Sequence, residues 1–150
     1  MIARITTTLK TTPETMWEKI SQPATLIYVS SPVLRFVPID GPKLDTRWHL
    51  DGIYRLKLYF LHFIPMGNHT IRFAKFDKAT NTIISHESGT LAKVWHHKIT
   101  FKTSGENRID YCDEVEIKAG LLTLFIWGFA QLFYRHRQKR WAGVLERNLF

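Results

Sequence analysis

Cysteine is almost missing from this chain. Cys112 stands alone among 150 residues, which excludes an intramolecular disulfide and a cysteine-built zinc site and makes a reducing compartment the expectation. A membrane-length apolar run is also missing. The C-terminal stretch from Ala119 to Tyr134 spans 16 residues and contains Gly120, Thr123, Gly128 and Gln131, whereas a span needs about 20, so a buried helix is expected there. The first residues, Met1 to Thr8, alternate as a strand does and carry no apolar h-region, so a cytoplasmic protein is expected. No repeat, linker or low-complexity stretch divides the chain, and one domain over residues 1–150 follows. Acidic residues are scarce, 13 against 21 basic ones, for a net charge of +8. That excess speaks to partners and not to fold. Nucleic acid is not expected, because the cations are not interleaved with stacking aromatics in any recognisable module.

What is present reads as one strand, two short helices, many strands and a long helix. After a strand over about Ile2 to Lys10, Thr12-Pro13-Glu14 has the form of an N-cap followed by proline at the first helical position, opening a helix to about Ile20. Pro23 starts a second short piece that ends near Ser30-Ser31-Pro32. Strands are expected at about Val33 to Ile39, Arg47 to Ile64, His69 to Asp77, Thr82 to Gly89, Lys93 to Thr103 and Asn107 to Lys118. The segment Arg47 to Ile64 is long for one strand and is expected to break near Asp51-Gly52, and Pro65-Met66-Gly67-Asn68 is expected to be a turn. The final thirty residues form one helix, in which Ile126, Phe133, Arg137, Arg140 and Val144 share a stripe. Two arginines on a mostly apolar stripe suit a helix that closes over a polar or anionic group, or one whose end snorkels to solvent.

Alternation with period two assigns the strand faces. Tyr54, Leu56, Leu58, Phe60, His62 and Ile64 share one side, as do His69, Ile71 and Phe73, then Trp95, His97, Ile99 and Phe101, then Ile109, Tyr111, Asp113, Val115 and Ile117. Lys98, Lys102, Arg108, Asp110, Glu114 and Glu116 fall on the other side. A bent antiparallel sheet with its apolar face wrapped around the long helix accommodates all these parts, an α+β architecture. If Ser104-Gly105-Glu106 is a three-residue hairpin loop, His97 pairs with Asp113, Ile99 with Tyr111, Phe101 with Ile109 and Thr103 with Asn107. A carboxylate on an apolar face needs a partner, and a facing imidazole supplies one. That pair is either a structural hydrogen bond or an acid/base dyad. Arg137 and Arg140 could hold a ligand carboxylate or phosphate, or pair with Asp113. His62 and His69 lie diagonal to each other across the Pro65 to Asn68 turn, but two histidines lacking a third ligand do not make a zinc site, and no metal or cofactor is expected.

The order of elements resembles the START-related helix-grip superfamily (SRPBCC) of polyketide cyclase/dehydrase and lipid-transport proteins. The resemblance runs over nearly the whole chain. Its more specific pieces are Thr12-Pro13-Glu14-Thr15-Met16-Trp17, Trp95-His96-His97-Lys98-Ile99-Thr100-Phe101, Asp113-Glu114-Val115-Glu116-Ile117 and Phe133-Tyr134-Arg135-His136. It implies a helix-grip fold of about seven strands around the C-terminal helix, with a cavity for a small hydrophobic or amphipathic molecule that could carry an anionic group. The residues expected to line it are Tyr54, Leu58, Phe60, His62, Ile71, Phe73, Trp95, His97, Tyr111, Asp113, Phe129, Phe133 and Arg137. A non-catalytic binding module is the leading expectation. One alternative is a cyclase-like enzyme using His97, Asp113 and Tyr111. Another is a lipid carrier whose block from Arg135 to Arg140 meets anionic membrane.

Overall fold

Thr12 and Pro13 start the first helix in the way their chemistry suggests. The Thr12 hydroxyl accepts from the Thr15 amide at 3.2 Å, and Pro13 occupies the first turn, where no intrahelical donor is needed. The computed structural model describes residues 1–41 and 43–150. Its elements run β1 (Ile2–Leu9), α1 (Pro13–Ile20), α2 (Pro23–Ser30), β2 (Leu34–Asp40), β3 (Ile53–Phe60), β4 (Ile64–Asp77), β5 (Thr82–Gly89), β6 (Val94–Gly105), β7 (Arg108–Lys118) and α3 (Thr123–Glu146). A single 3-10 turn, Gly120–Leu122, leads into α3. The strands form one antiparallel sheet in the order β1-β7-β6-β5-β4-β3-β2. From β2 to β7 each strand therefore pairs with the next in sequence, and β1 closes onto the last. The expected α+β architecture is the one observed.

The inward face holds the core. Tyr54, Leu56, Ile71, Ile99, Phe101, Ile109, Tyr111, Val115 and Ile117 are all buried, and Lys98, Lys102 and Arg108 on the other face are exposed. Helix α3 buries Ile126, Ala130, Phe133, Arg137, Trp141 and Val144, a stripe at three- and four-residue spacing, against this face. Two side chains tie it to β1: Gln138 Nε2 donates to the Ile5 carbonyl at 2.8 Å and Trp127 Nε1 to the Ile2 carbonyl at 2.9 Å.

Four expectations need correcting. The first concerns the β3–β4 connection, which turns at Leu61-His62-Phe63 and not at Pro65 to Asn68. Leu61 and His62 adopt the left-handed region, with φ of 48° and 72°. Pro65 to Asn68 instead belongs to β4, where the register slips between Leu58 and Tyr59 and Gly67, at φ 88°, absorbs the irregularity. His62 and Ile64 are consequently exposed and leave the inward set. Second, Arg47 to Gly52 form no strand of their own: Asp51, at φ 59°, bonds its amide to the Phe73 carbonyl at 2.8 Å in a turn. Third, the β6–β7 register differs by two residues from the one expected. Glu106 and Asn107 form the tip, with Asn107 at φ 50°, and a slip between Thr103 and Gly105 sets Phe101 opposite Tyr111, Ile99 opposite Asp113 and His97 opposite Val115. A shift of two keeps every side chain on its face, because the pleat repeats in two. Fourth, the run from Ala119 to Tyr134 is not buried on all sides: Leu121, Leu122, Leu124, Phe125 and Leu132 are exposed.

Candidate functional site

Between α3 and the sheet lies a cavity of about 130 Å³. Its wall is mainly apolar, drawn from Leu58, Ile71, Phe73, Ile83 and Ile99 on the strands and Ile126, Phe129, Phe133 and Trp141 on α3. Four strands and the helix thus each contribute a face, and the polar groups among them are few.

The first polar group is centred on Asp113, which has no exposed surface. Because His97 and Asp113 are diagonal neighbours and not directly opposite, the side chains lean toward each other, and His97 Nε2 meets Asp113 Oδ1 at 2.7 Å. Tyr111 OH donates to the same oxygen at 3.1 Å, and Gln138 Nε2 donates to Oδ2 at 3.0 Å. Burial pushes this carboxyl up, but the His97 hydrogen bond, the nearby Arg137 charge and the Gln138 donor outweigh it and hold it below its usual range. Tyr111 is pushed well above the ordinary phenol value by burial and by the Asp113 charge, so it stays a neutral donor. His97 lines the cavity; Asp113 and Tyr111 sit behind it.

The second polar group was not anticipated. His69 Nε2 meets Glu87 Oε2 at 2.8 Å, and Ser85 Oγ donates to Glu87 Oε1 at 2.5 Å. All three line the cavity. Burial raises Glu87, yet the His69 bond, the charges of His69 and His97 and the Ser85 hydroxyl bring it below its usual range. The signal was legible: Ser85 and Glu87 keep step with buried Ile83 along β5, so alternation alone places them inward.

The third group is Arg137, whose side chain lines the cavity while the residue is only 5 % exposed. Its guanidinium lies 5.0 Å from the centre of the Tyr134 ring and 5.9 Å from that of Phe133. Among the described residues it donates no hydrogen bond, and Nε is buried without a partner. Burial works against its charge, but Asp113 and the surrounding polar groups keep it protonated. Tyr134, beneath it, accepts a hydrogen bond from Trp95 Nε1 at 3.1 Å. Arg140 behaves otherwise: Nε donates to the Tyr28 carbonyl at 2.8 Å and the guanidinium stacks 4.2 Å from the Tyr28 ring, so it secures the end of α2. The block from Arg135 to Arg140 is therefore not a continuous basic surface.

Of the thirteen residues expected at the cavity, eight reach it: Leu58, Ile71, Phe73, Trp95, His97, Phe129, Phe133 and Arg137. Tyr54 is packed into the core beside Trp48 and Phe73, and Phe60 meets Phe129 edge to face from outside the wall. Tyr111 and Asp113 lie in the layer beneath His97, outside the cavity wall. His62 is a correction: it sits in the exposed β3–β4 turn, 3.4 Å from the Ser31 hydroxyl.

A sequence model for a domain of unknown function, DUF8410, matches residues 7–145. The chain belongs to the DUF8410 family. No curated protein matches it. In three dimensions this DUF8410 chain is similar to protein CV1439 from Chromobacterium violaceum, with a TM-score of 0.77 and 13% identity over 97% of this chain and 96% of that one. It is similar to the Zhui aromatase/cyclase from Streptomyces sp. R1128, at a TM-score of 0.70 and 11% identity over 100% and 96% of the two chains. A START superfamily protein from Mycobacterium smegmatis gives 0.68 and 13%, covering 97% of each chain. At such identities the likeness concerns fold alone, and the fold of this DUF8410 domain is the START-related helix-grip fold. No helix among its described residues is long and apolar enough to cross a membrane.

Proposed function

We propose that this DUF8410 domain binds a small amphipathic molecule in the cavity between sheet and α3, with the molecule's anionic group at Arg137. The observation that carries this reading is the unused donor set of Arg137. The two buried carboxylates are occupied, Asp113 by His97, Tyr111 and Gln138, and Glu87 by His69 and Ser85. Among the described residues Arg137 is the one lysine or arginine on the cavity wall, and its Nε is buried with no hydrogen-bond partner. Buried polar groups in native proteins are nearly always paired, so an orphaned guanidinium on a cavity wall fits an acceptor brought by a ligand. The cavity, at about 130 Å³, is close in size to the roughly 150 Å³ apolar cavity known to take up benzene. It suits a single ring or a short acyl chain and not a sterol.

Calorimetric titration with phenylacetate and phenylacetamide tests this. The acid should bind at least about tenfold more tightly than the amide, as expected for a charge-assisted pair in a dry site. Arg137→Gln should erase the difference. Equal affinities for acid and amide in the wild-type protein would overturn the reading.

One observation favours a second reading. His97 lines the cavity with Asp113 bonded behind it, the arrangement of a base held by an orienting carboxylate. Acid/base chemistry would show as deuterium exchange at the α-carbon of a small aryl ketone, lost in His97→Gln. Exchange no faster than in buffer removes that reading.

A further inference from the structure

Antiparallel pairing brings the β3–β4 turn, the β5–β6 loop, the end of β7 and the start of α3 to the same end of the molecule. Contacts confirm the gathering. Val94 pairs with Lys118, the Thr90 amide bonds to the Asn68 carbonyl at 2.9 Å, and the rings of Phe60 and Phe129 meet with centroids 6.1 Å apart. This end carries a concentration of exposed large apolar side chains: Phe63 is 73% exposed, Leu91 37%, Leu121 104%, Leu124 67% and Phe125 76%. Monomeric proteins rarely leave so many large apolar side chains in water at one end unless something covers them.

Charge decides what that is. The segments 61–64, 90–93 and 119–125 contain no Asp or Glu; Lys93 lies within them, and Lys118, ion-paired with Glu116 at 3.2 Å, adjoins them. The turns at the opposite end mix both signs: Asp45 and Asp51 with Lys43 and Arg47 between β2 and β3, Lys78 after Asp77 at the end of β4, and Glu106 before Arg108 between β6 and β7. The apolar pole thus carries no acid in its exposed loops on a chain of net charge +8, while acids and bases are mixed at the other pole, and an apolar surface edged by lysine is what an anionic lipid surface selects. Leu91 also lines the cavity, so the cavity wall reaches the surface at this same pole.

We propose that this pole docks on an anionic lipid bilayer, with Phe63, Leu121, Leu124 and Phe125 entering the interface, Lys93 and Lys118 at the headgroups, and the Leu91 side of the cavity against the membrane. The inference goes beyond cavity binding and does not depend on it. Flotation of the full chain with phosphatidylcholine vesicles, with and without phosphatidylserine, tests it. Binding should require phosphatidylserine, weaken with added salt, and fall roughly tenfold in Leu124→Glu and Phe125→Glu. Both side chains lie outside the core, so these variants should melt as the wild type does. Lys78→Glu, at the opposite pole, should float like the wild type. Absence of flotation would overturn the proposal, as would equal losses in Lys78→Glu and Phe125→Glu. A dimer in solution that Phe125→Glu dissociates, without vesicle binding, would assign the surface to a second copy and also overturn it. Phenylacetate titration of Phe125→Glu reads the cavity separately.

Discussion

Asp113→Asn removes one charge and almost no volume, so it isolates what the buried carboxylate contributes. Asp113 Oδ1 accepts from His97 and Tyr111, and Oδ2 from Gln138. If the new amide nitrogen takes the Oδ2 position, it faces the Gln138 NH2 group, donor against donor. Gln138 cannot simply rotate, because its Nε2 also donates to the Ile5 carbonyl at 2.8 Å. If the nitrogen takes the Oδ1 position, His97 and Tyr111 lose their acceptor. Either way a buried bond to a charged group is lost and Arg137 keeps no opposing charge nearby except Glu87. Breaking one side of a buried pair costs about 3–5 kcal/mol; the retained shape and remaining bonds argue for the lower end, about 3 kcal/mol. With a urea slope of about 2 kcal/mol/M, the unfolding midpoint at neutral pH should fall by about 1.5 M. Asp113 is depressed in the folded state, so its contribution is complete above the unfolded carboxyl value, about pH 4, and disappears as pH falls through the lower folded value. The gap between wild type and Asp113→Asn should therefore be full at pH 7 and shrink as the solution is taken below about pH 4. A second substitution checks the source of the loss: Arg137→Met should cost less in the Asp113→Asn background than in the wild type. A midpoint shift below about 0.5 M, or a gap that does not change with acid, would refute the reasoning.

Other outcomes follow from single contacts. Gly67→Ala should lower the melting temperature by roughly 5–8 °C, since a Cβ there would meet Thr90 Oγ1 at 2.5 Å in a backbone with φ 88°. Thr90 cannot move aside without breaking its two bonds to Asn68. Thr12→Ala should cost about 1 kcal/mol in chemical denaturation, the usual worth of a side-chain N-cap. Glu87→Gln should destabilise by about 1–3 kcal/mol at neutral pH and flatten the acid limb of the stability profile, because the depressed Glu87 loses its stabilisation only as pH falls through its folded value.

The fold was legible because its signals are periodic and redundant. Alternation along β6 and β7 placed His97, Tyr111 and Asp113 inward, and that survived a register error of two, since a two-residue slip preserves the face. The error came from counting Ser104-Gly105-Glu106 as the loop, when a bulge before Gly105 lets Glu106 and Asn107 make the tip. The β3–β4 turn was misplaced for a related reason. Pro65 and Gly67 advertise a turn, but the strand uses them in an irregular stretch, while Leu61 and His62 take positive φ without any sequence mark. Helical spacing brought out Arg137 because a cation on an apolar stripe is conspicuous. Nothing in that spacing separated Arg137 from Arg140; the difference lies in Tyr28, which captures Arg140 through a carbonyl and a ring. Glu87 went unread because the faces of β5 were not assigned, although the alternation was there. The apolar run after Ala119 could not disclose its own exposure, since hydrophobicity shows what avoids water and not what stands ready to cover it.

The central claim is that Arg137 meets a ligand's anionic group inside the cavity. Nitrogen-15 correlation spectra of the arginine Nε–H groups, recorded while phenylacetate is added, test it most directly. The resonance absent from the Arg137→Lys protein should move downfield and saturate with phenylacetate, and stay in place with phenylacetamide. A resonance that ignores phenylacetate, or follows acid and amide alike, would contradict it.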